Sequence, residues 1–372
     1  MVDFTVLAVP GVRALRPYEP GKPVATLERE LGIRDAVKLA SNENPLGPSP
    51  RALAAIRAVL GELHIYPDGN GFALKQALAD RHGVVPEQIT LGNGSNEILE
   101  LVARTWLAPG RNAVFSEHAF AVYPLVVQAV SAEGRAAGAL PADSSQPFGH
   151  DLEAMLARVD ANTRVVFVAN PNNPTGTWVS AEALEGFLSR IPAETLVVVD
   201  EAYAEYVEAT DYPDTTQWIQ RFPNLLVTRT FSKIHGLAGL RLGYSVSSIG
   251  VAELLNRVRQ PFNVNSLAQA AGLAALGDAG HVAESVRVNR EGLAQVAAAL
   301  RERGLDFIPS VGNFITFDVR QPPGPVYEQL LREAVIVRPV ANYGLPTHLR
   351  VTIGTRDEND RFLGALDSVL KA

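Results

Sequence analysis

Cysteine is absent from the 372-residue chain, which excludes disulfide bridges, thiolate catalysis and cysteine-ligated metals. No apolar run approaches the roughly 20 residues that a membrane-spanning helix requires, so no membrane partner is expected. Met1, Val2, Asp3 and Phe4 do not form the basic start of a signal peptide, and the expected location is the cytoplasm. Blocks of like charge are missing too. The formal net charge of -7 is spread along the chain, which argues against nucleic acid or an anionic membrane surface as the main partner. There is no Walker lysine motif, and no cluster suggests a metal site. What is present is the composition of an ordinary soluble globular protein, 47% hydrophobic and 20% charged, long enough for two domains.

Short β-branched and apolar runs recur at residues 112–116, 165–169, 196–200, 225–228 and 241–246, separated by helical patterns that include 98–106, 151–159 and 181–190. Near-continuous apolar strands suit burial on both faces, hence a mainly parallel sheet between helices. Beyond residue 275 the pattern changes to a long helix at 282–303, strands at 313–319, 335–340 and 349–353, and a closing helix at 357–370. The expected fold is α/β: a large domain (45–274) with a mainly parallel, doubly wound sheet, and a smaller α+β domain (275–372). The N-terminal segment (1–44), rich in proline and glycine and lacking a core of its own, is expected to pack on the small domain or on a partner subunit.

One run carries more chemistry than any other. Lys233 follows two hydroxyls, Thr230 and Ser232, with Arg241 eight residues on. A lysine amine forms Schiff bases with aldehydes, and hydroxyls with an arginine suit a phosphate dianion. An aldehyde and a phosphate on one small molecule describe pyridoxal 5'-phosphate. The turn Gly92-Asn93-Gly94-Ser95-Asn96-Glu97 opens a helix whose N-terminal N–H groups can also hold phosphate. Glu97 stands where a dinucleotide fingerprint needs its third glycine, which disfavours a nicotinamide-dependent oxidoreductase.

Three further stretches fit the same ligand. Asn170-Pro171-Asn172-Asn173-Pro174 ends a strand at the carboxyl edge of the sheet, where such folds bind ligands, and an asparagine there can reach a phenolic oxygen. Asp200 ends the next strand, where a buried carboxylate needs a cation such as a protonated pyridine nitrogen, and Tyr203 follows three residues later. Arg338 and Arg350 each interrupt an apolar strand, and a buried guanidinium calls for a carboxylate or phosphate.

Together these stretches resemble the fold type I, class I/II aminotransferases, over most of the chain and in the expected order. Ser41-Asn42-Glu43-Asn44-Pro45-Leu46-Gly47-Pro48 is similar to the N-terminal signature of the histidinol-phosphate aminotransferase family, as are Tyr66-Pro67-Asp68, the stretch from His118 to Tyr123, and Leu349-Arg350-Val351-Thr352. The resemblance implies that Lys233 binds the cofactor covalently and moves the substrate proton, that Asp200 pairs with the ring nitrogen, and that Asn173 and Tyr203 hold the ring oxygen. It implies that Phe120 stacks on the ring, and that Gly94, Ser95, Asn96, Thr230, Ser232 and Arg241 bind the phosphate. Tyr66 would reach the cofactor of a neighbouring subunit, making the active unit a homodimer. Tyr18, Asn44, Arg338 and Arg350 would hold the substrate. Two departures stand out: many members have aspartate where Asn96 stands, and tyrosine in place of Phe120. Both leave backbone donors and a flat face in place. His235 is expected to pack rather than act as a base.

The implied reaction is transamination between histidinol phosphate and 2-oxoglutarate. Three alternatives share much of the pattern: an aromatic amino acid aminotransferase, a pyridoxal-phosphate-dependent threonine-phosphate decarboxylase, and a regulator with a vestigial aminotransferase domain. The last is disfavoured because every catalytic position is filled and no helix-turn-helix precedes the domain.

Overall fold

A computed structural model describes residues 2–370. Its centre is a seven-stranded sheet built from β1 (Ile89–Asn93), β2 (Asn112–Ser116), β3 (Glu133–Ala137), β4 (Thr163–Ala169), β5 (Leu196–Asp200), β6 (Leu225–Thr230) and β7 (Leu242–Ser247). The strand order is β1-β7-β6-β5-β4-β2-β3. All neighbours run parallel except β7, which is antiparallel to both β1 and β6.

The period-two rule explains why this sheet carries two cores. Val197 and Val199 point to one face, where they meet Leu74, Leu78, Leu184 and Ala271 from helices. Val198 points to the other face, onto Ile98, Leu99, Val127 and Leu255. Strands buried on both sides therefore read as unbroken apolar runs, and the doubly wound α/β layer follows from the sequence as expected.

Two strands were not visible as apolar runs. Edge strand β3 is largely exposed, and its Arg135 pairs with Glu133 and Asp160, charges that blunt an open edge. β1 is hidden because its last residues belong to the glycine turn. The expected strand 241–246 begins one residue later, since Arg241 adopts a left-handed conformation (φ 57°) ahead of β7.

The C-terminal part forms a four-stranded antiparallel sheet in the order Arg338–Pro339, His348–Thr352, Phe314–Asp318, Phe307–Ile308. Helices Ala279–Glu302, Pro323–Arg332 and Arg356–Leu370 cover it, with Val296, Leu330, Phe317 and Phe362 in its core. The expected strand 335–340 is two strands. Val335–Ile336 pairs with Val37–Lys38 near the start of the chain, and Arg338–Pro339 joins the C-terminal sheet. That parallel pairing forms a separate two-stranded sheet that ties the N-terminal segment to the C-terminal part of the chain. Among the described residues no helix is long and apolar enough to cross a membrane.

Candidate active site

The carboxyl ends of β4, β5 and β6 open into one cavity of about 200 Å³. The short β6–β7 connection explains how Lys233 reaches it. Because β7 runs antiparallel to β6, the chain turns directly above the sheet, and the turn carries Phe231 to Leu240. Lys233 Nζ donates to the Ser41 carbonyl at 2.9 Å. Burial, reinforced by the positive charge of Arg350, pushes its amine down to about 7. A substantial fraction is then neutral and nucleophilic near neutrality.

Asp200 ends β5 with 5% exposure. Its carboxylate accepts from Thr228 Oγ1 and from the Tyr123 hydroxyl, each at 2.9 Å. Burial pushes the carboxyl up, while these two hydroxyls and the charge of Lys233 pull it down. A buried carboxylate held by neutral donors is poised for a cationic partner. Thr228 and Thr230 lie two residues apart on β6 and so share a face, which places one beneath Asp200 and the other among the phosphate-type donors.

Ser95, Asn96, Thr230, Ser232 and Arg241 line the same cavity. Helix Ser95–Trp106 begins there, with Gly94 as its cap and no side chain capping the turn. Its first N–H groups are therefore available at the positive end of the helix dipole. Gly94 (φ +78°) does not face the cavity but makes room for it. A Cβ at that position would lie 2.3 Å from Arg241 Nη2. Arg241 in turn reaches Ser232 Oγ at 3.4 Å. Glu97 folds back to accept from the Asn93 and Asn263 amides, closing the turn.

The opposite wall comes from both ends of the chain. Arg350, 5% exposed, donates from Nη2 to the Ala40 carbonyl at 2.8 Å and from Nη1 to Asn173 Oδ1. Its buried Nε has no partner among the described residues. Asn42 donates to the Tyr203 hydroxyl at 2.9 Å, and burial pushes that phenol up to about 12. Asn173, Tyr203, Phe120 and Tyr18 complete the lining.

Lys233, Asp200, Tyr203, Asn173, Phe120, Ser95, Asn96, Thr230, Ser232, Arg241, Tyr18 and Arg350 are thus brought together. Four residues are not among the lining, Gly94 behind Arg241 being one of them. Arg338 sits one layer away, its guanidinium 5.5 Å from the Tyr18 ring centre and bonded to the Glu19 carbonyl. Tyr66 lies elsewhere, 79% exposed and stacked on Phe262 at 4.6 Å. Asn44, expected to hold substrate, is outside the lining. Its amide is consumed by the Ile234 carbonyl and Ser285 Oγ, so it anchors the segment after Lys233. His235 is buried against Phe231 and held down to about 3 by burial. Sequence reasoning passed over Tyr123, Thr228 and Asn42. Period-two spacing from Thr230 would have found Thr228, whereas Asn42 is brought to Tyr203 only by tertiary structure.

Residues 34–366 match the model of the family "Aminotransferase class I and II", and the chain belongs to that family. Within it, the chain is 64% identical over 372 residues to histidinol-phosphate aminotransferase 2 of Pseudomonas aeruginosa, covering 100% of this chain and 99% of that one. It is 58% identical over 369 residues to histidinol-phosphate aminotransferase 2 of Methylococcus capsulatus, covering 99% and 100% respectively. Among solved structures, the histidinol-phosphate aminotransferase from Sinorhizobium meliloti, in complex with pyridoxal-5'-phosphate, superposes with a TM-score of 0.87 at 29% identity over 97% of both chains.

Proposed function

We propose that this chain is a pyridoxal 5'-phosphate-dependent histidinol-phosphate aminotransferase, exchanging an amino group between L-histidinol phosphate and 2-oxoglutarate in histidine biosynthesis. The observation that carries the reading is the convergence of Lys233, Asp200, Arg350 and a phosphate-type donor cluster on one cavity, in a chain 64% identical to an enzyme of that name.

The donor set fits the cofactor. Ser95, Asn96, Thr230, Ser232 and Arg241 would hold its phosphate, with the space left by Gly94 admitting the Arg241 guanidinium. Asp200 would pair with the ring nitrogen. Asn173, whose Oδ1 is taken by Arg350, keeps its amide donor for the ring oxygen, and Tyr203 supplies a second. Phe120 would cover a ring face. Bound pyridoxal phosphate supplies an electron sink for the pair released at the substrate's α carbon.

Lys233 then does the proton work. With its amine pushed down to about 7, Lys233 would be the base that takes the proton from the substrate's Cα. Arg350, with Tyr18 and Arg338 behind it, receives the substrate's anionic end. A guanidinium fork matches phosphate in one half-reaction and carboxylate in the other.

The reading includes a homodimer. Leu63, Ile65, Tyr66 and Phe262 form an exposed apolar patch beside a groove, and a neighbouring subunit would cover it and receive Tyr66. It also divides the chain into residues 1–44, 45–274 and 275–372, and puts the enzyme in the cytoplasm.

The test is two-part. Protein incubated with pyridoxal phosphate should show the visible absorbance of a lysine Schiff base. The kcat/KM for L-histidinol phosphate with 2-oxoglutarate should then exceed that for L-phenylalanine, L-tyrosine and L-threonine phosphate by about a hundredfold or more. A flat profile would overturn the substrate assignment.

A further inference from the structure

Three consecutive residues of the N-terminal segment each contact a different member of the site. The Ala40 carbonyl accepts from Arg350, the Ser41 carbonyl from Lys233, and the Asn42 side chain donates to Tyr203. Of these only Asn42 acts through its side chain, and both ends of its amide are used. Oδ1 accepts from Thr352 Oγ1 at 3.1 Å, and Nδ2 donates to the Tyr203 hydroxyl at 2.9 Å. The Asn42 N–H also donates to Thr352 Oγ1 at 2.9 Å. Thr352 stands two residues beyond Arg350 on the strand His348–Thr352. Asn42 is 1% exposed and adopts a left-handed backbone (φ 56°), a conformation asparagine tolerates better than most residues.

We infer that Asn42 is a positioning residue for Tyr203, bridging the strand that carries Arg350 to the phenol. Resting on the functional reading above, the inference adds a residue to it. Because the phenol oxygen accepts from Asn42, its own hydrogen stays available to the cavity. Among the described residues no acceptor takes that hydrogen. Accepting one hydrogen bond strengthens the one donated. The amide thus fixes both the position of the hydroxyl and the direction in which it donates.

Two substitutions separate this role from simple packing. Asn42→Gly keeps the left-handed backbone and removes the amide. Asn42→Asp keeps the shape and the acceptor for Thr352 but turns the donor facing Tyr203 into an acceptor, so the phenol must donate toward the introduced carboxylate and away from the cavity. Tyr203→Phe is the reference. The readouts are the pH midpoint of the cofactor Schiff-base absorbance and kcat and KM measured separately.

N42D is expected to shift the absorbance midpoint in the same direction and by a similar amount as Y203F. It should lower kcat about 5-fold to 30-fold, the equivalent of one buried hydrogen bond. The double variant N42D/Y203F should be no worse than Y203F alone, since both changes remove the same interaction. N42G should fall between wild type and Y203F. Additive effects in the double variant, or a wild-type absorbance midpoint in N42D, would overturn the bridge. Failure of the wild-type protein to take up pyridoxal phosphate would instead overturn the functional reading.

Discussion

An Arg350→Met substitution removes a guanidinium whose surroundings are not those of a structural ion pair. It is 5% exposed, bonds only to neutral groups (the Ala40 carbonyl and Asn173 Oδ1) and leaves its Nε without a partner among the described residues. Among the described residues no carboxylate lies within ion-pair distance of it. A buried cation with an open donor draws its anion from outside, and truncating one side of a buried charge pair costs about 2–5 kcal/mol. On the proposed reading, in which one fork would serve phosphate and carboxylate, that converts to a fall in kcat/KM of roughly 30-fold to 5,000-fold in both half-reactions. A second effect follows from charge. After burial, Arg350 is the largest influence holding the Lys233 amine down near 7. Without it the amine titrates higher, less of it is neutral at pH 7, and apoprotein captures pyridoxal phosphate more slowly at that pH. Steady-state assays of each half-reaction, and the pH dependence of cofactor capture followed by absorbance, measure the two effects. A kcat/KM within about threefold of wild type for both substrates would refute the assignment of Arg350 as the anion site.

Lys233→Ala should lower turnover by about 10²–10⁴-fold while cofactor binding, measured by equilibrium dialysis, is only weakened, since the phosphate and ring contacts remain. Asp200→Asn keeps the shape but has a single acceptor oxygen for the Tyr123 and Thr228 hydroxyls, so thermal denaturation should show a loss of about 1–3 kcal/mol together with reduced turnover. Gly94→Ala places a Cβ 2.3 Å from Arg241 Nη2 at a left-handed position, and a cofactor titration should show affinity down about tenfold or more with the fold retained. In apoprotein the Lys233 amine titrates near 7 when folded and near 10.5 when unfolded. Between these values the unfolded chain binds the extra proton, so this lysine makes stability rise with pH across that window. Denaturant titrations should show the rise flattened in Lys233→Met.

Much of the large domain was legible because burial on both faces writes itself into a strand as an unbroken apolar run; β5, with Leu196, Val197, Val198 and Val199, is the clearest case. The polar exceptions then stood out as Asp200, Thr230 and Lys233. What stayed hidden lacked that contrast. Edge strand β3 is exposed and charged, so no apolar signal marks it. The split of 335–340 into two strands depends on pairing with Val37–Lys38, a partner some 300 residues away that local pattern cannot reveal. Arg338 and Arg350 looked alike in sequence, each a charge in an apolar strand, yet they sit opposite one another in the pairing register and only Arg350 lines the cavity. Asn44 shows a related limit: it belongs to a motif whose neighbours Ser41 and Asn42 line the cavity, while its own amide donates to the Ile234 carbonyl.

The wall made by Ala40, Asn42, Arg350 and Thr352 has a consequence for how the chain comes into being. The bonds that join these residues span 310 positions, nearly the full length of the polypeptide. During synthesis the large sheet, with Asp200 and Lys233 already on it, can leave the ribosome and collapse while its final strand is still being translated. Until that strand arrives, the lysine faces an unfinished wall, and a prematurely terminated product never closes it. A chain that ended before Arg350 would keep Asp200 and Lys233 but lack the guanidinium that closes this wall, so on the proposed reading it would lose its hold on the substrate's anionic end.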